Sequence, residues 1–220
     1  MNPQNALLGY TRGMRHLGHI LVIGFLGCSS LTALAQVLVF EDSFDQEGLW
    51  DSRNLNVGRF GYDDGWFEIS INQPNSYIFV PAPVLPAKDV RLEVDIAKRS
   101  GAATDEAGVF CRLQLEGGHY ELLFSAESRT SAIYRVTNEE YVAIGRAVLP
   151  PEIKLNSGNK ANHVRAECVG SKLRLFVNDW LTLEAQDTNF EGGWVGLAAG
   201  TGTRNSQLKA DFDNFKFFVL

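Results

Sequence analysis

Two carboxylates lie in a pattern that could support glycoside hydrolysis. Glu93 and Asp95 are separated by one residue in Glu93-Val-Asp-Ile-Ala-Lys98, so in a strand both side chains would point to one face. Retaining hydrolysis needs two carboxyl groups about 5–5.5 Å apart, one protonated and one ionised. The next charged residue of this segment is Lys98, which has no carboxyl group and so cannot supply a further acid or base of the carboxylate type. Because aliphatic residues alternate with these charges, we interpret the segment as a strand with one solvated face.

Aromatic side chains indicate a different chemistry, the binding of sugars. Sugar rings present flat C–H faces that pack on indole and phenol rings, while polar neighbours contact the hydroxyl groups. Trp180 is the first candidate because it follows Asn178-Asp179, the turn of a predicted hairpin, where a tryptophan has little structural reason to lie. The alternative for an exposed aromatic residue is an edge side chain that packs on a neighbouring loop. The other ligand-binding candidates are two tyrosines, a tryptophan and two mid-strand arginines: Tyr62, Tyr141, Trp66, Arg112 and Arg135.

Other enzyme motifs are missing from the sequence. It contains no Gly-x-Ser-x-Gly, no P-loop and no His-Glu-x-x-His. After residue 35 the only histidines are His119 and His163, which we expect to be structural or surface residues. The sequence therefore names no catalytic residue.

The elements that would carry these side chains are strands. Apolar residues alternate with period two along almost the whole chain after Val37, and no segment shows a long 3.6-residue period. Turn signals such as Asp63-Asp64-Gly65 and Asn178-Asp179 separate the runs. So many short strands in one domain require two packed antiparallel sheets. The predicted strands are 37–44, 66–71, 77–80, 90–97, 108–115, 120–126, 132–136, 141–144, 163–169, 172–177, 181–185, 194–199 and 208–219.

Several short segments resemble a known superfamily. The opening Phe40-Glu-Asp-Ser-Phe44 followed by Trp50, the central Gly108-Val-Phe-Cys-Arg112, and the closing segments 190–197 and 210–217 resemble the concanavalin A-like lectin/glucanase superfamily. They resemble especially bacterial secreted domains grouped with laminin G-like modules and with 3-keto-disaccharide hydrolases. The resemblance implies an all-β fold, a two-sheet antiparallel jelly-roll sandwich, over residues 36–220. It also implies that Trp50 and Trp194 are buried core residues.

The resemblance also suggests a calcium site. It brings Asp42 near the first strand and Asp213 near the last, and the terminal strands of jelly rolls often pair. Asp211 would share a face with Asp213, and carboxylates with backbone carbonyls form the oxygen shell that Ca²⁺ prefers. The alternative is that Asp213-Asn214 satisfies turn amides. No cofactor is required by this interpretation; a structural Ca²⁺ is its metal candidate.

The first thirty-five residues have the pattern of a secretory signal. Arg12 and Arg15 precede an apolar stretch from Leu17 to Leu34, which ends in small residues before Gln36. We therefore predict cleavage after Ala35 and a secreted, periplasmic or cell-surface protein. Two alternatives stay open, a single membrane anchor and lipidation at Cys28, which follows Gly27.

Charge and cysteine usage fit an exported domain. The chain has a formal net charge of −6 at pH 7 and no block of basic residues, which argues against nucleic acid as a partner. After the leader only Cys111 and Cys168 remain, and an exported pair favours a disulfide. Closing a loop of this length would stabilise the fold by about 4 kcal/mol on the chain-entropy model. The alternative is two separately buried thiols.

The sequence thus favours a non-catalytic binding module for an extracellular or cell-envelope carbohydrate. One alternative is a glycoside hydrolase of the 3-keto-disaccharide hydrolase type. The other is a laminin G-like domain that binds an extracellular protein. Membrane contact is expected only through the leader or through a lipid at Cys28.

Overall fold

The computed structural model describes residues 36–203 and 207–220. The leader predicted over 1–35, including Cys28, lies outside these residues. Across the described ranges the chain forms strands and turns without a helix, which confirms the predicted all-β class. In particular, these ranges contain no helix long and apolar enough to cross a membrane.

The strands form two antiparallel sheets. The larger sheet has nine strands: β1 Val37–Asp42, β2 Arg53–Leu55, β3 Gly58–Asp63, β4 Trp66–Ile71, β6 Val90–Ser100, β11 Asn162–Val169, β12 Lys172–Val177, β13 Trp180–Gln186 and β15 Leu208–Val219. Their order is β13-β12-β11-β6-β15-β4-β3-β2, and β1 pairs with β15. The first and last strands of the domain therefore pair, with Asp42 opposite Phe215.

The smaller sheet has six strands. They are β5 Tyr77–Pro81, β7 Glu106–Leu113, β8 His119–Ser125, β9 Thr130–Val136, β10 Tyr141–Val148 and β14 Trp194–Gly200. Their order is β10-β9-β8-β7-β14-β5, so β5 and β10 are its two edges. Every predicted strand overlaps one of the observed strands, whereas β2 and β3 were not predicted.

Two-residue turns explain the tightest hairpins. Asp64 and Gly65 link β3 to β4, and Asn178 and Asp179 link β12 to β13, all with positive φ between 48° and 78°. Paired positive φ values match the twist of antiparallel strands, and Asp, Asn and Gly adopt them most readily. These hairpins place Trp66 and Trp180 at the first position after each turn.

The main core lies between the sheets and is stapled by a disulfide. Leu92, Val94 and Ile96 of β6 are buried there, as the alternating pattern predicts. Cys111 on β7 and Cys168 on β11 are joined, with their Cα atoms 6.8 Å apart. Since β7 and β11 belong to different sheets, the bond ties the two layers together, and the predicted disulfide is confirmed.

The six-stranded sheet is strongly curved. Five strand spacings of about 4.8 Å would place its edges roughly 24 Å apart if it were flat. Yet the rings of Tyr77 on β5 and Tyr141 on β10 stack with centroids 5.8 Å apart. The outer face of this sheet therefore forms a concave trough. A second apolar cluster lines its floor, separate from the main core: Phe110, Leu123, Ala132, Tyr134, Val136 and Ala198.

Candidate functional site

The trough is a concave surface with a cavity volume of about 760 Å³. We define it by the residues Tyr77, Glu106, Leu123, Tyr134, Tyr141 and Arg146, which come from five of the six strands. The loop after β14 adds Thr201 and Gly202 at one end. Both tyrosines of the edge strands are 45% exposed, so their rings are available to a ligand.

A buried carboxylate holds Tyr141 in place. Glu121 of β8 is almost fully buried, and both of its oxygens have partners. The Tyr141 hydroxyl donates to Oε2 over 2.7 Å, and His119 Nε2 lies 3.0 Å from Oε1. Burial and the charge of Glu121 both raise the pKa of Tyr141, so the phenol stays protonated and remains the donor. The pair Glu121–His119 thus fixes the orientation of an aromatic ring over the trough.

A second carboxylate lies at the other side of the trough. The Tyr134 hydroxyl donates to Glu106 Oε2 over 2.6 Å, and Arg146 Nη2 donates to the Tyr134 oxygen over 2.5 Å. Arg146 Nη1 is 3.8 Å from Glu106 Oε1. Burial raises the pKa of Glu106, although Tyr134 and Arg146 act in the opposite direction. The Arg146 side chain is 59% exposed, so it can also reach a ligand.

These groups suit the recognition of a sugar. Tyr77 and Tyr141 supply exposed ring surface, and the buried ring of Tyr134 packs against Tyr141 at a tilt with centroids 4.7 Å apart. Glu106 and Arg146 supply an acceptor and donors beside the rings. An aromatic surface with a few fixed polar groups is the usual composition of a small-ligand site.

Comparison with solved structures identifies the fold. The chain is similar to the carbohydrate-binding module CBM66 from Bacillus subtilis, with 18% identity, a TM-score of 0.59, and coverage of 77% of this chain and 94% of that one. It is also similar to the laminarinase catalytic domain of Thermotoga petrophila, with 9% identity, a TM-score of 0.58, and coverage of 84% and 98%. A Bacillus subtilis protein of unknown function with a galectin-like fold has 12% identity and a TM-score of 0.57, with coverage of 82% and 94%.

The fold is the concanavalin A-like jelly roll. At these sequence identities the similarity establishes the fold only, so the function has to be inferred from the residues of the site. No family model matches the sequence, and no curated protein matches it.

Of the six ligand-binding candidates named from the sequence, one, Tyr141, lies in the trough. Tyr62 instead faces the core, where its oxygen accepts hydrogen bonds from the backbone amides of Leu49 and Trp50 at 3.0 and 2.8 Å. Arg112 is only 1% exposed and donates from Nη1 to the Phe190 carbonyl over 2.8 Å. Arg112 is therefore not available to a ligand at the surface.

The other three candidates lie away from the trough. Arg135 donates from Nη1 to Asp187 over 2.7 Å and is three-quarters buried. Trp66 lies on the larger sheet under the guanidinium of Arg99, which is 5.4 Å from the ring centroid. Trp180 is 52% exposed beside its hairpin turn, as predicted, but β13 is an edge strand of the larger sheet. The six candidates therefore do not form one site.

The carboxylates suggested for calcium have protein partners. Asp42 Oδ1 accepts from the Phe44 amide over 2.8 Å, and its Oδ2 is buried without a hydrogen-bond partner. Asp211 accepts from Arg99 Nε over 2.5 Å, and Asp213 from the Asn214 amide over 2.7 Å. Within residues 36–203 and 207–220 no three His, Cys, Asp or Glu side chains are placed to hold a metal ion. Asp211 Oδ1 is also buried without a hydrogen-bond partner, whereas both oxygens of Asp213 accept from Asn214. Calcium stays a prediction.

Most residues of the trough were not named from the sequence. Glu106 and Glu121 lie on β7 and β8 in phase with Phe110 and Leu123, which face the trough and not the main core. The alternating pattern therefore did indicate this site, because on these strands the glutamates point to the same face as apolar residues.

One expectation about the core tryptophans was wrong. Trp50 is buried as predicted, but Trp194 is partly exposed and lines a surface groove.

Proposed function

We propose that this protein is an exported, non-catalytic module that binds a carbohydrate in the trough. The observation that carries the proposal is the stack of Tyr77 on Tyr141 beside the Glu106–Arg146 pair. This arrangement offers a sugar both ring surface and hydrogen-bonding groups. The names of the structural neighbours, which include a carbohydrate-binding module and a laminarinase, support the same class of ligand.

The state of Glu121 supports binding without catalysis. A glycosidase needs a second carboxylate that can reach the sugar, as nucleophile or as base. Glu121 is 1% exposed, and its oxygens are occupied by His119 and Tyr141. It therefore serves to position Tyr141.

Export is supported by the disulfide between Cys111 and Cys168, because such bonds form and persist in oxidising compartments. It agrees with the signal predicted over residues 1–35. An extracellular or envelope glycan would then be available to the trough.

The test is glycan-array binding by the purified protein, with Ca²⁺ and with a chelator. Tyr77→Ala and Arg146→Ala change exposed trough residues, and Trp180→Ala is the matched control on the other sheet. We expect selective binding that Tyr77→Ala weakens about two- to tenfold, since one stacked ring is worth about 0.5–1.5 kcal/mol beyond its buried area. Arg146→Ala should also weaken binding, because it removes hydrogen-bond donors, and the control should leave binding unchanged. A blank array under both conditions would remove the proposal and favour a laminin G-like protein partner. Loss of binding with chelator would add the calcium site.

A second candidate is a glycoside-cleaving enzyme of the 3-keto-disaccharide hydrolase type. The observation that favours it is Glu106, a carboxyl in the trough whose pKa is raised by burial, as a general acid requires. Incubation with oligosaccharides and with 3-keto-disaccharides, followed by chromatography of products, separates the two. Turnover that Glu106→Gln abolishes would establish the enzyme, whereas unchanged substrate would leave the binding module.

A further inference from the structure

A second groove lies at the end of the sandwich, around Trp194. We call it the Trp194 groove and define it by Pro86, Leu113, Leu115, Glu116, Phe190 and Trp194. Its cavity volume is about 680 Å³, close to that of the trough. Trp194 stands at the start of β14, opposite Leu113 of β7, and it does not belong to either apolar core cluster.

Hydrogen bonds from a side chain and from the backbone hold the loop that borders the groove. Gln114 Nε2 donates to the Gly192 carbonyl over 2.5 Å, and the backbones of Ala87 and Gly193 exchange two hydrogen bonds of 3.0 Å. A Cβ at Gly193 would lie 2.4 Å from the Leu113 oxygen, so only glycine fits there. The loop from 187 to 193 therefore has one well-defined position against the end of β7.

The residue behind this loop is unusual in two ways. Arg112 has a φ of 61°, rare for a side chain of its size, at a break in the β7–β14 register. It is also a buried cation whose Nε and Nη2 find no hydrogen-bond partner among the described residues, although Nη2 is 3.7 Å from Asp89. Burial lowers the pKa of Arg112. Strained backbone and desolvated charge cluster at functional sites, and here both position the Phe190 carbonyl of the groove loop.

The lining of the groove restricts the charge of its ligand. None of its described lining residues is a lysine or arginine, whereas Glu116 contributes an exposed carboxylate. Glu191, next to Phe190, is 81% exposed and pairs with Lys88 Nζ at 3.2 Å. An anionic sugar would therefore meet the Glu116 carboxylate at this surface, with no cationic side chain among the lining residues. A neutral sugar could stack on the indole and donate hydroxyl hydrogen bonds to Glu116.

The groove is distinct from the trough. Trp194 and Gly200 mark opposite ends of β14, six residues apart, and Gly200 lines the trough. At about 3.3 Å per residue the two sites are roughly 20 Å apart. A single sugar unit cannot occupy both.

We infer that the Trp194 groove is a second carbohydrate site, which binds a neutral hexopyranose unit on the Trp194 indole. The inference takes its ligand class from the proposed function but uses none of the trough residues. A second, spatially separate site would raise the avidity of the module for a polymer without new contacts in the trough.

The test follows the indole N–H signals of the ¹⁵N-labelled protein by NMR. The chain has four tryptophans, so Trp194 can be assigned by comparison with Trp194→Ala and with the exposed control Trp180→Ala. The purified protein is titrated with neutral oligosaccharides of glucose, galactose and mannose, and in parallel with oligogalacturonate. Affinities and stoichiometry come from calorimetry on wild type, Trp194→Ala and the trough variant Tyr77→Ala.

We expect the Trp194 signal to shift with a neutral sugar and not with oligogalacturonate. That shift should persist in Tyr77→Ala, and Trp194→Ala should lose at least about tenfold in affinity for this site. Titration of the wild type remains informative if Trp194→Ala fails to fold.

Binding that shifts no Trp194 signal would overturn the second site and leave the trough proposal standing. A shift produced by an apolar peptide but by no sugar would overturn the ligand class and make the groove, with exposed Leu115, a protein contact. If the Trp194 site binds sugar while Tyr77→Ala changes nothing, the trough proposal fails and this one survives.

Discussion

The contact between the two edge strands of the smaller sheet gives the sharpest test of the trough. Tyr77 and Tyr141 touch only because the sheet is curved, with ring centroids 5.8 Å apart. Each side chain is 45% exposed, so truncation to alanine removes about 100 Å² of buried apolar area, or about 2.5 kcal/mol at most. Tyr141→Phe should separately cost about 1.5–3 kcal/mol, because it leaves the buried carboxylate of Glu121 without one of its two donors.

The double-mutant cycle isolates the contact itself. Stacked aromatic pairs contribute about 0.5–1.5 kcal/mol beyond area burial, so Tyr77→Ala and Tyr141→Ala should deviate from additivity by that amount. Urea unfolding followed by circular dichroism gives the free energies, provided that the slope m does not change between variants. The pair Tyr77→Ala and Trp180→Ala is the control, since Trp180 lies on the other sheet and its effect should add. A Tyr77–Tyr141 coupling no larger than that of the control pair would refute the curvature on which the trough depends.

Three further predictions concern stability. Reduction of Cys111–Cys168, or replacement of both by alanine, should lower the free energy of unfolding by about 2–5 kcal/mol in urea titrations with and without reductant; an unchanged midpoint would contradict a stabilising bond between the sheets. Burial raises the folded-state pKa of Glu106 above its ordinary 4.5, so the folded state binds this proton more tightly and stability should increase as pH falls through the folded pKa. Glu106→Gln should flatten that part of the pH profile, and a profile identical to wild type would exclude Glu106 as its source. The hydrogen bond from His163 to Asp95 raises the pKa of His163, so its stabilisation is complete below the ordinary value of 6.5 and is lost as pH rises through the folded pKa. Because both side chains are at least 30% exposed, the effect should be small, and His163→Gln should remove it from thermal melts taken between pH 6 and 9.

Much of the fold could be predicted because alternation is a local property. Segments such as β4, β12 and β15 were placed with their observed bounds from apolar residues at every second position. The turn Asn178-Asp179 was readable because few residues accept positive φ twice in succession. By contrast, β2 and β3 carry Gly, Arg and Asn with little alternation, and they exist because β4 offers them an edge for pairing.

The site was harder to predict because it depends on curvature, which no local pattern encodes. Tyr77 and Tyr141 are 64 positions apart on opposite edges, and only the bending of four intervening strands brings their rings together. The same bending buries Glu121 on what would be the solvated face of a flat sheet. A sandwich sheet with apolar residues on both faces cannot leave one face flat in water, because that would expose a large apolar patch. Curling around Phe110 and Leu123 hides part of that surface, and what remains open is the concave, ring-lined strip where we place the ligand.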